Sequence, residues 1–375
     1  MNEITKKKIF NSSADLLAVC TALAACFCLT LKLKSNFNFE NFSFFAAKTA
    51  FFRSKAPSLG GGLFPANLSL EEDQQWGREE KSRYSIFSPK KSKDFKLPEV
   101  KNQNDDDDDG PKLPGEKTCK IIESQFGSGG TKFENFFVKN NTGFNLDIGA
   151  ELAKRPEIEI KKTDKPQVLI MHTHATESFM KKDQGFFYES YHPRSGNDEK
   201  NVTAVGASIA QVLEKHGIKT IHDKSHNDEP THKDYYHRAG KLIKEHLEQN
   251  PSIQVVLDIH RDSMGSAESG KIKPTFSYSG EKAAQIMVIA GCDTDGSIGH
   301  PNWEKNLRLA LRLQKSCETL FPGFTRPMKF DKVKYNMHIT PGSLLVEVGS
   351  DVNTLEEAIR SGAMLGEAVT KVLLN

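Results

Sequence analysis

The stretch "VLIMHTHATESF", residues 168–179, joins an apolar strand pattern to a cluster of side chains that bind metals. Its four leading apolar residues predict a buried β-strand that ends just before His172. His174 follows two positions later, and Glu177 lies three positions after His174. We expect that the two histidines do not both point at one metal ion, so that one of them is structural.

Apolar runs of strand length alternate with segments of helical period from about Thr131 onward. The predicted strands lie at 167–171, 218–222, 253–259, 285–291 and 343–349. The predicted helices cover 202–213, 235–248, a long segment from Trp303 to Leu320, and a last segment capped by Thr354. We therefore expect an α/β domain with a mostly parallel, twisted sheet flanked by helices. In such sheets, functional residues gather beyond the carboxyl ends of the strands.

Two more strands carry polar residues near their carboxyl ends. "VVLDIHRDS" at 255–263 contains His260, flanked by Asp258, Arg261 and Asp262. "LLVEVGS" at 344–350 contains Glu347 inside an otherwise apolar strand, where an unpartnered carboxylate is costly to bury.

These residue types match the requirements of metal-assisted hydrolysis. A hydrolytic zinc needs about three nitrogen or oxygen ligands and an open position for water, together with a nearby carboxylate that is not a ligand. Each residue also has a structural interpretation: a strand-end histidine is often hydrogen-bonded within the core, and His260 with its charged neighbours could form a salt-bridge cluster.

The N-terminal third has a different composition. Three lysines precede an uncharged run from Leu16 to Leu31, which predicts a signal-anchor with the bulk of the chain outside the cytoplasm. A cleaved lipoprotein signal at Cys26 is the alternative. Residues 35–130 are rich in Gly, Pro, Ser and charge blocks, which predicts a flexible linker that includes the acidic run 105–109. The predicted organisation is a cytoplasmic tail and signal-anchor at 1–34, the linker at 35–130, and a catalytic domain at 131–375.

Composition argues against several other classes of protein. A net charge of +2 over 375 residues gives no indication of nucleic-acid binding. The six cysteines include no C-x-x-C pair, which argues against a disulfide framework or a cysteine zinc site. The chain also lacks the G-x-x-x-x-G-K-[ST], G-x-S-x-G and H-E-x-x-H motifs.

The chain resembles the stage II sporulation protein P family of endospore-forming bacteria over roughly residues 135–375. The resemblance lies in five segments, of which the last two are the most specific: "VKNNTGFNLDI" (138–148), "VLIMHTHATESF" (168–179), "NVTAVGASIAQVLEKHGI" (201–218), "VVLDIHRDS" (255–263) and "YNMHITPGSLLVEVGSDVNTLEEA" (335–358). The chain departs from the family pattern at His338 and Ser350, and Cys292 and Cys317 have no assigned role.

The resemblance implies a membrane-anchored cell-wall hydrolase, similar in fold and chemistry to zinc-dependent N-acetylmuramoyl-L-alanine amidases. It implies zinc bound by His174 and His260, with Glu347 as general base. Glu177 is the expected third ligand because of its spacing from His174, and Glu199 or one of the spare histidines, His226 and His338, is the alternative. Arg261 is expected to add to stabilisation of the oxyanion.

The same resemblance implies a biological setting. The substrate would be septal peptidoglycan during sporulation engulfment, and the sporulation stage II proteins D and M would be partners. The catalytic domain would lie outside the cytoplasm on a single-pass anchor. Three alternatives remain open: a zinc peptidase that cuts stem-peptide cross-links, a non-catalytic peptidoglycan binder, and a component that recruits other engulfment proteins.

Overall fold

The computed structural model describes residues 95–98, 109–231 and 233–374. The predicted tail and signal-anchor at 1–34 and most of the predicted linker lie outside the described residues. None of the helices in the described ranges is both long and apolar enough to cross a membrane.

The described chain contains thirteen strands and five α-helices. The strands are β1 (Thr118–Ser124), β2 (Thr131–Phe133), β3 (Phe136–Asn140), β4 (Val168–Met171), β5 (Phe186–Tyr188), β6 (Thr220–His222), β7 (Val255–Asp262), β8 (Gly265–Ser266), β9 (Gly270–Tyr278), β10 (Glu281–Ala284), β11 (Ile286–Gly291), β12 (Met328–Asp331) and β13 (Ser343–Ser350). The helices are α1 (Ile148–Ala153), α2 (Val202–Lys215), α3 (Tyr235–Gln249), α4 (Trp303–Leu320) and α5 (Leu355–Leu374), and a 3₁₀ turn covers Met337–Ile339.

The larger sheet has eight strands in the order β2-β3-β12-β11-β13-β7-β4-β6. Five of its seven pairings are parallel, but β11 runs antiparallel to β13 in the middle of the sheet, and β2 runs antiparallel to β3. The expectation of an α/β fold with a sheet flanked by helices is confirmed, whereas the sheet is mixed. The parallel block β13-β7-β4 brings the carboxyl ends of three strands to one edge.

A smaller sheet, β10-β9-β1-β5 with β8 beside β9, packs on the same folded unit. β1 pairs with both β9 and β5 although it precedes residue 131, where the catalytic domain was predicted to start. β1 therefore lies within the segment 35–130 that was assigned to a flexible linker. Phe95 also packs against the rings of Phe321 and Tyr278.

The two faces of the larger sheet are covered by different helices. On one face, alternate residues of β7 and β13 such as Leu257 and Val346 join a core cluster with residues of α2, α4 and α5. On the other face, Val256 packs with Met171 of β4 and Ile243 of α3. The alternation places His260 and Glu347 on the α3 face, since strand side chains alternate between faces.

The last helix has the predicted cap. The Glu357 backbone N–H donates to Thr354 Oγ1 at 3.2 Å, and the Thr354 N–H donates to Glu357 Oε2 at 3.0 Å. This reciprocal pair is a capping box, which satisfies two backbone donors at the start of the helix. The Glu357 carboxylate also lies 2.7 Å from the buried Lys273 Nζ, so α5 is tied to β9 of the smaller sheet.

Candidate active site

Residues 167–180 and β13 each contain a single residue that is not buried. Every residue from 167 to 180 is buried except His174, whose side chain is 15% exposed. Every residue of β13 is buried except Glu347. Two buried segments that each expose a single chemically active side chain indicate a functional site at this edge of the sheet.

The histidines and Glu347 are brought together by strand pairing. His260 and Glu347 are register partners on adjacent parallel strands, so their side chains lie on the same face. The ring centroids of His174 and His260 are 5.3 Å apart, with the rings at 81°. Residues separated by 173 positions in the chain, His174 and Glu347, therefore both lie beside His260.

His260 is nearly fully buried between two carboxylates. Its Nε2 lies 2.9 Å from Asp258 Oδ1, and its Nδ1 lies 3.6 Å from Glu177 Oε2. Although the first distance is short, its angle does not make a hydrogen bond, and Nε2 has no hydrogen-bond partner among the described residues. Burial by itself would lower the pKa of His260, but the charges of Asp258 and Glu177 outweigh burial and raise it well above its ordinary value.

Glu177 is held as an ionised carboxylate. The Arg261 backbone N–H donates to its Oε2 at 3.1 Å, and the guanidinium groups of Arg261 and Arg194 lie 4.0 and 3.9 Å from its Oε1. Burial alone would raise the pKa of Glu177, but the charges of Arg261, His260 and His174 lower it to about 2. Glu177 is therefore negative throughout the physiological range.

The pKa of Glu347 is shifted in the opposite direction from that of Glu177. Its Oε2 is buried without a hydrogen-bond partner among the described residues. Burial raises the pKa of Glu347 to about 7, the charge of His260 opposes this increase, and the nearby Asp262 and Glu177 reinforce it. A carboxyl group that titrates near neutrality can both accept and donate a proton, which is what acid–base catalysis requires.

His174 is bordered by tyrosines and by a second buried aspartate. Its ring centroid lies 4.3 Å from that of Tyr235, and its Nδ1 is 4.0 Å from Asp228 Oδ2. Burial lowers the pKa of His174 to about 4. The imidazole is therefore neutral at physiological pH, which is the form that binds metals.

The donor atoms can be compared with the geometry of a zinc site. Zinc bonds to imidazole nitrogen and carboxylate oxygen at about 2.0–2.2 Å, so two ligands of a tetrahedral ion lie roughly 3.4 Å apart, and two such imidazole centroids roughly 5 Å apart. The 3.6 Å between His260 Nδ1 and Glu177 Oε2 and the 5.3 Å between the imidazole centroids match these values. His174 Nδ1 is, in addition, buried without a hydrogen-bond partner among the described residues.

Among the described residues, however, no group of three His, Cys, Asp or Glu side chains is already arranged to hold a metal ion. The donor set thus fits zinc in residue type and in pairwise separation. His174, His260 and Glu177 do not already converge on one point.

Arg261 has a different environment from the one its predicted role requires. Its Nε donates to the Ser178 carbonyl at 3.2 Å, and its Nη2 donates to the Pro193 carbonyl at 2.7 Å. It also lies on the strand face opposite His260, since the two residues are adjacent in β7. These contacts make Arg261 a support for Glu177 and the neighbouring loop rather than an oxyanion donor.

His172, the first histidine of the motif, lies away from the site. Residues two apart in a strand share a face, but β4 ends at Met171, and the turn that follows separates His172 from His174. His172 donates from Nδ1 to the Ile259 carbonyl at 3.0 Å, and its Nε2 lies 3.0 Å from His222 Nε2. Both rings pack against Gly206 of α2, where an added Cβ would lie 2.6–2.8 Å from them. His172 is therefore a structural residue between the sheet and α2.

The alternative candidates for the third zinc ligand lie in other parts of the described chain. Glu199 is exposed in the loop before α2. His226 lies between Asp198 and Glu229, at 2.8 and 3.3 Å. His338 is in the 3₁₀ turn.

Sequence reasoning assigned no role to two groups that border the site. Asp258 was noted only as a neighbour of His260, although their i, i+2 spacing in a strand places them on one face. Arg194 donates to Asp228 Oδ2 at 2.9 Å and to Thr176 Oγ1 at 3.1 Å, and so links the loop after β4 to the loop after β6. The sequence carries no local signal for the pairing of Arg194 with Asp228, because the two residues come from separate loops.

The fold and the site together define an α/β protein that carries a histidine–carboxylate centre at the ends of its parallel strands. The chain belongs to the stage II sporulation protein P family, whose model matches residues 64–370. It is 30% identical to stage II sporulation protein P of Bacillus subtilis (strain 168) over 209 residues, which are 53% of this chain and 49% of that protein. The match thus spans about half the length of this curated relative.

Two solved structures illustrate the likeness to other proteins. The N-acetylmuramoyl-L-alanine amidase AmiC2 of Nostoc punctiforme is 15% identical, with a TM-score of 0.33 over 56% of this chain and 97% of that chain. The CwlD amidase from Clostridioides difficile, solved in complex with the GerS lipoprotein, is 14% identical, with a TM-score of 0.34 over 56% of this chain and 98% of that chain.

Proposed function

We propose that this protein is a peptidoglycan hydrolase of sporulation that cleaves the amide bond between N-acetylmuramic acid and L-alanine. The observation that carries the proposal is the convergence of His174, His260 and Glu347 at a strand edge that is otherwise buried. Membership of the stage II sporulation protein P family supports the sporulation setting.

Glu347 is the proton carrier in this proposal. Its unpartnered Oε2 accepts a proton from the attacking water as the water oxygen bonds to the carbonyl carbon. Glu347 then returns that proton to the nitrogen of L-alanine as the carbon–nitrogen bond breaks. A pKa of about 7 suits both steps at neutral pH.

The other residues hold a metal and keep it in place. His174, His260 and Glu177 would bind zinc, with Glu199 as the alternative third ligand. When bound there, zinc supplies polarisation of the carbonyl and lowers the pKa of water. Asp258 orients His260, since a histidine ligand usually directs its second nitrogen to a carboxylate.

The surrounding tyrosines form one wall of the site. The rings of Tyr236 and Tyr335 stack with centroids 5.4 Å apart, and Tyr235 lies against His174. Such aromatic walls bind apolar faces of ligands, and a sugar ring or a peptide methyl group is suited to this position. The predicted N-terminal anchor would place the site on the outer side of the membrane, at the septum.

Digestion of purified sacculi tests the proposal. The full chain should release peptides with a free L-alanine amine, detectable by mass spectrometry, and a chelator should stop the release. Glu347→Gln should reduce the rate by about 10²- to 10⁴-fold without changing the unfolding midpoint. Glu214→Gln, a surface change in α2, is the control and should leave the rate unchanged.

The products also separate the alternative functions. Stem peptides that remain on the glycan but lose their cross-links would identify a peptidase instead of an amidase. Binding to sacculi without any product, at equal strength in the wild type and in Glu347→Gln, would identify a non-catalytic binder and refute the proposal.

A further inference from the structure

Arg326 is a buried arginine that uses only part of its hydrogen-bonding capacity. It precedes β12 and is 5% exposed. Its Nη1 donates to Asp262 Oδ2 at 2.9 Å and lies 3.2 Å from Met264 Sδ. Its Nε and Nη2 have no hydrogen-bond partner among the described residues.

Unpartnered guanidinium nitrogens in a buried position are unusual. Arginine has five N–H donors in a fixed plane and is always charged. Buried polar groups are normally paired, and an exception calls for a cause, such as a ligand that binds there.

Backbone pairing places Arg326 beside Glu347 from two directions. The Arg326 N–H donates to the Ile286 carbonyl at 2.8 Å, and the next residue, Met287, is the register partner of Glu347. Asp262, which holds the guanidinium, lies two residues after the other register partner of Glu347 in β7. The positive charge of Arg326 also counteracts the burial of Glu347, which is the sign expected for close neighbours.

Arg261, another arginine near the site, already has partners for the same two nitrogen atoms. The Nε and Nη2 of Arg261 donate to backbone carbonyls, whereas the same atoms of Arg326 have no partner. Of these two arginines, Arg326 is the one whose Nε and Nη2 donors no described residue occupies.

We propose that Arg326 is a catalytic residue that donates hydrogen bonds from Nε and Nη2 to the carbonyl oxygen of the scissile amide. The inference rests on the proposed function. As the water oxygen adds to the carbonyl carbon and Glu347 takes the proton, the π electrons of the carbonyl move onto its oxygen, next to the guanidinium. When the carbon–nitrogen bond breaks, the carbonyl reforms and Glu347 gives its proton to the departing nitrogen. Donors fixed in advance toward a developing oxyanion stabilise the transition state more than the ground state.

Steady-state kinetics of the full-length chain on a soluble muropeptide, with zinc added, test this role. Arg326→Ala should lower kcat by about 100-fold or more, while KM changes by less than about threefold, because the interaction is made in the transition state. Arg326→Lys should retain an intermediate rate, since it keeps the charge but loses the planar fork. Millimolar guanidinium should restore part of the activity of Arg326→Ala and none of that of Glu347→Gln.

Arg312→Gln is the matched control. Arg312, in α4, donates from Nη2 to the carbonyls of Leu152 and Lys154, so this variant also loses arginine hydrogen bonds to backbone carbonyls, but outside the site. Its kcat should stay within about twofold of the wild type.

Three results would overturn the inference. A raised KM with unchanged kcat would assign Arg326 to ground-state binding of a substrate carboxylate. Unchanged kinetics would leave it with no part in the reaction. The role of Arg326 would be structural if both Arg326 variants had a lower unfolding midpoint and lost activity that guanidinium does not restore. If the wild type releases no L-alanine amine, the proposed function itself fails, and this result is distinct from the other three because it appears before any variant is made.

Discussion

Replacing Asp258 with asparagine tests how the site holds its metal. Asp258 Oδ1 lies 2.9 Å from His260 Nε2 and accepts from the Thr173 N–H at 2.9 Å, while Oδ2 accepts from Thr173 Oγ1 at 2.6 Å. Asparagine has nearly the same shape and keeps one oxygen as an acceptor. If the amide oxygen of asparagine keeps the bond from the Thr173 N–H, the amide nitrogen faces Thr173 Oγ1, whose hydroxyl can rotate to accept from it. The main loss is then the negative charge beside His260.

The size of the effect follows from this geometry. Two unit charges 2.9 Å apart interact by roughly 6 kcal/mol at an effective dielectric constant of 20. A metal-bound imidazole carries only a fraction of a charge, so the net loss is smaller. Removing a carboxylate partner of a histidine ligand typically weakens metal binding by about 10- to 100-fold, or about 1.4 to 2.8 kcal/mol. We expect Asp258→Asn to weaken zinc binding within this range.

Competition between the protein and a fluorescent zinc chelator measures this difference directly. Asp223→Asn is the control, because Asp223 also forms an Asp–His pair, with His246 Nε2 at 2.6 Å, in which no residue of the site takes part. It should bind zinc as the wild type does. Equal zinc affinity of the Asp258→Asn variant and the wild type would show that His260 is not a ligand oriented by Asp258.

Two predictions concern the buried histidine pair. Burial lowers the pKa of His172 to about 4 and that of His222 to about 3, whereas an unfolded histidine titrates near 6.5. The unfolded chain therefore binds more protons at these two histidines below pH 6.5, so their contribution to the free energy of unfolding should be fully present above pH 6.5 and decline toward pH 4. Glu347 and His260, whose pKa values are raised, contribute with the opposite sign, so the decline is measured as the difference between urea titrations of the wild type and of His222→Gln at several pH values. Gly206→Ala would place a Cβ 2.6 Å from His222 Nε2 and should destabilise the fold by about 1–3 kcal/mol. Gly127→Ala is the control and should shift the urea midpoint little, because no atom lies within 4 Å of the added Cβ. Equal midpoints for the two variants would contradict this packing.

Local sequence signals were sufficient for the elements and for several site candidates. The strand before His172 begins and ends within one residue of its predicted limits, and the capping residue Thr354 starts the last helix as expected. These features depend on residues a few positions apart, which a sequence displays directly.

The direction of pairing in the sheet was beyond such signals. Buried strands in parallel and antiparallel pairs have similar apolar runs, so β11 could not be recognised as antiparallel to β13. The early strand β1 was missed because its sequence, TCKIIES, is mainly polar and half-exposed, and its pairing with β9 joins segments about 150 residues apart.

Some features of the candidate site likewise follow from local sequence, and others from tertiary contacts. The sequence by itself determined that His174, His260 and Glu347 end or interrupt apolar strands, because an isolated polar side chain in a buried segment needs a partner or a purpose. Only the tertiary structure decided that Arg194 and Arg261 lie against Glu177, and that the Nε and Nη2 of Arg261 donate to backbone carbonyls whereas those of Arg326 have no partner among the described residues. Side chains from distant segments meet only when the sheet has assembled, and their contacts leave no local pattern in the chain.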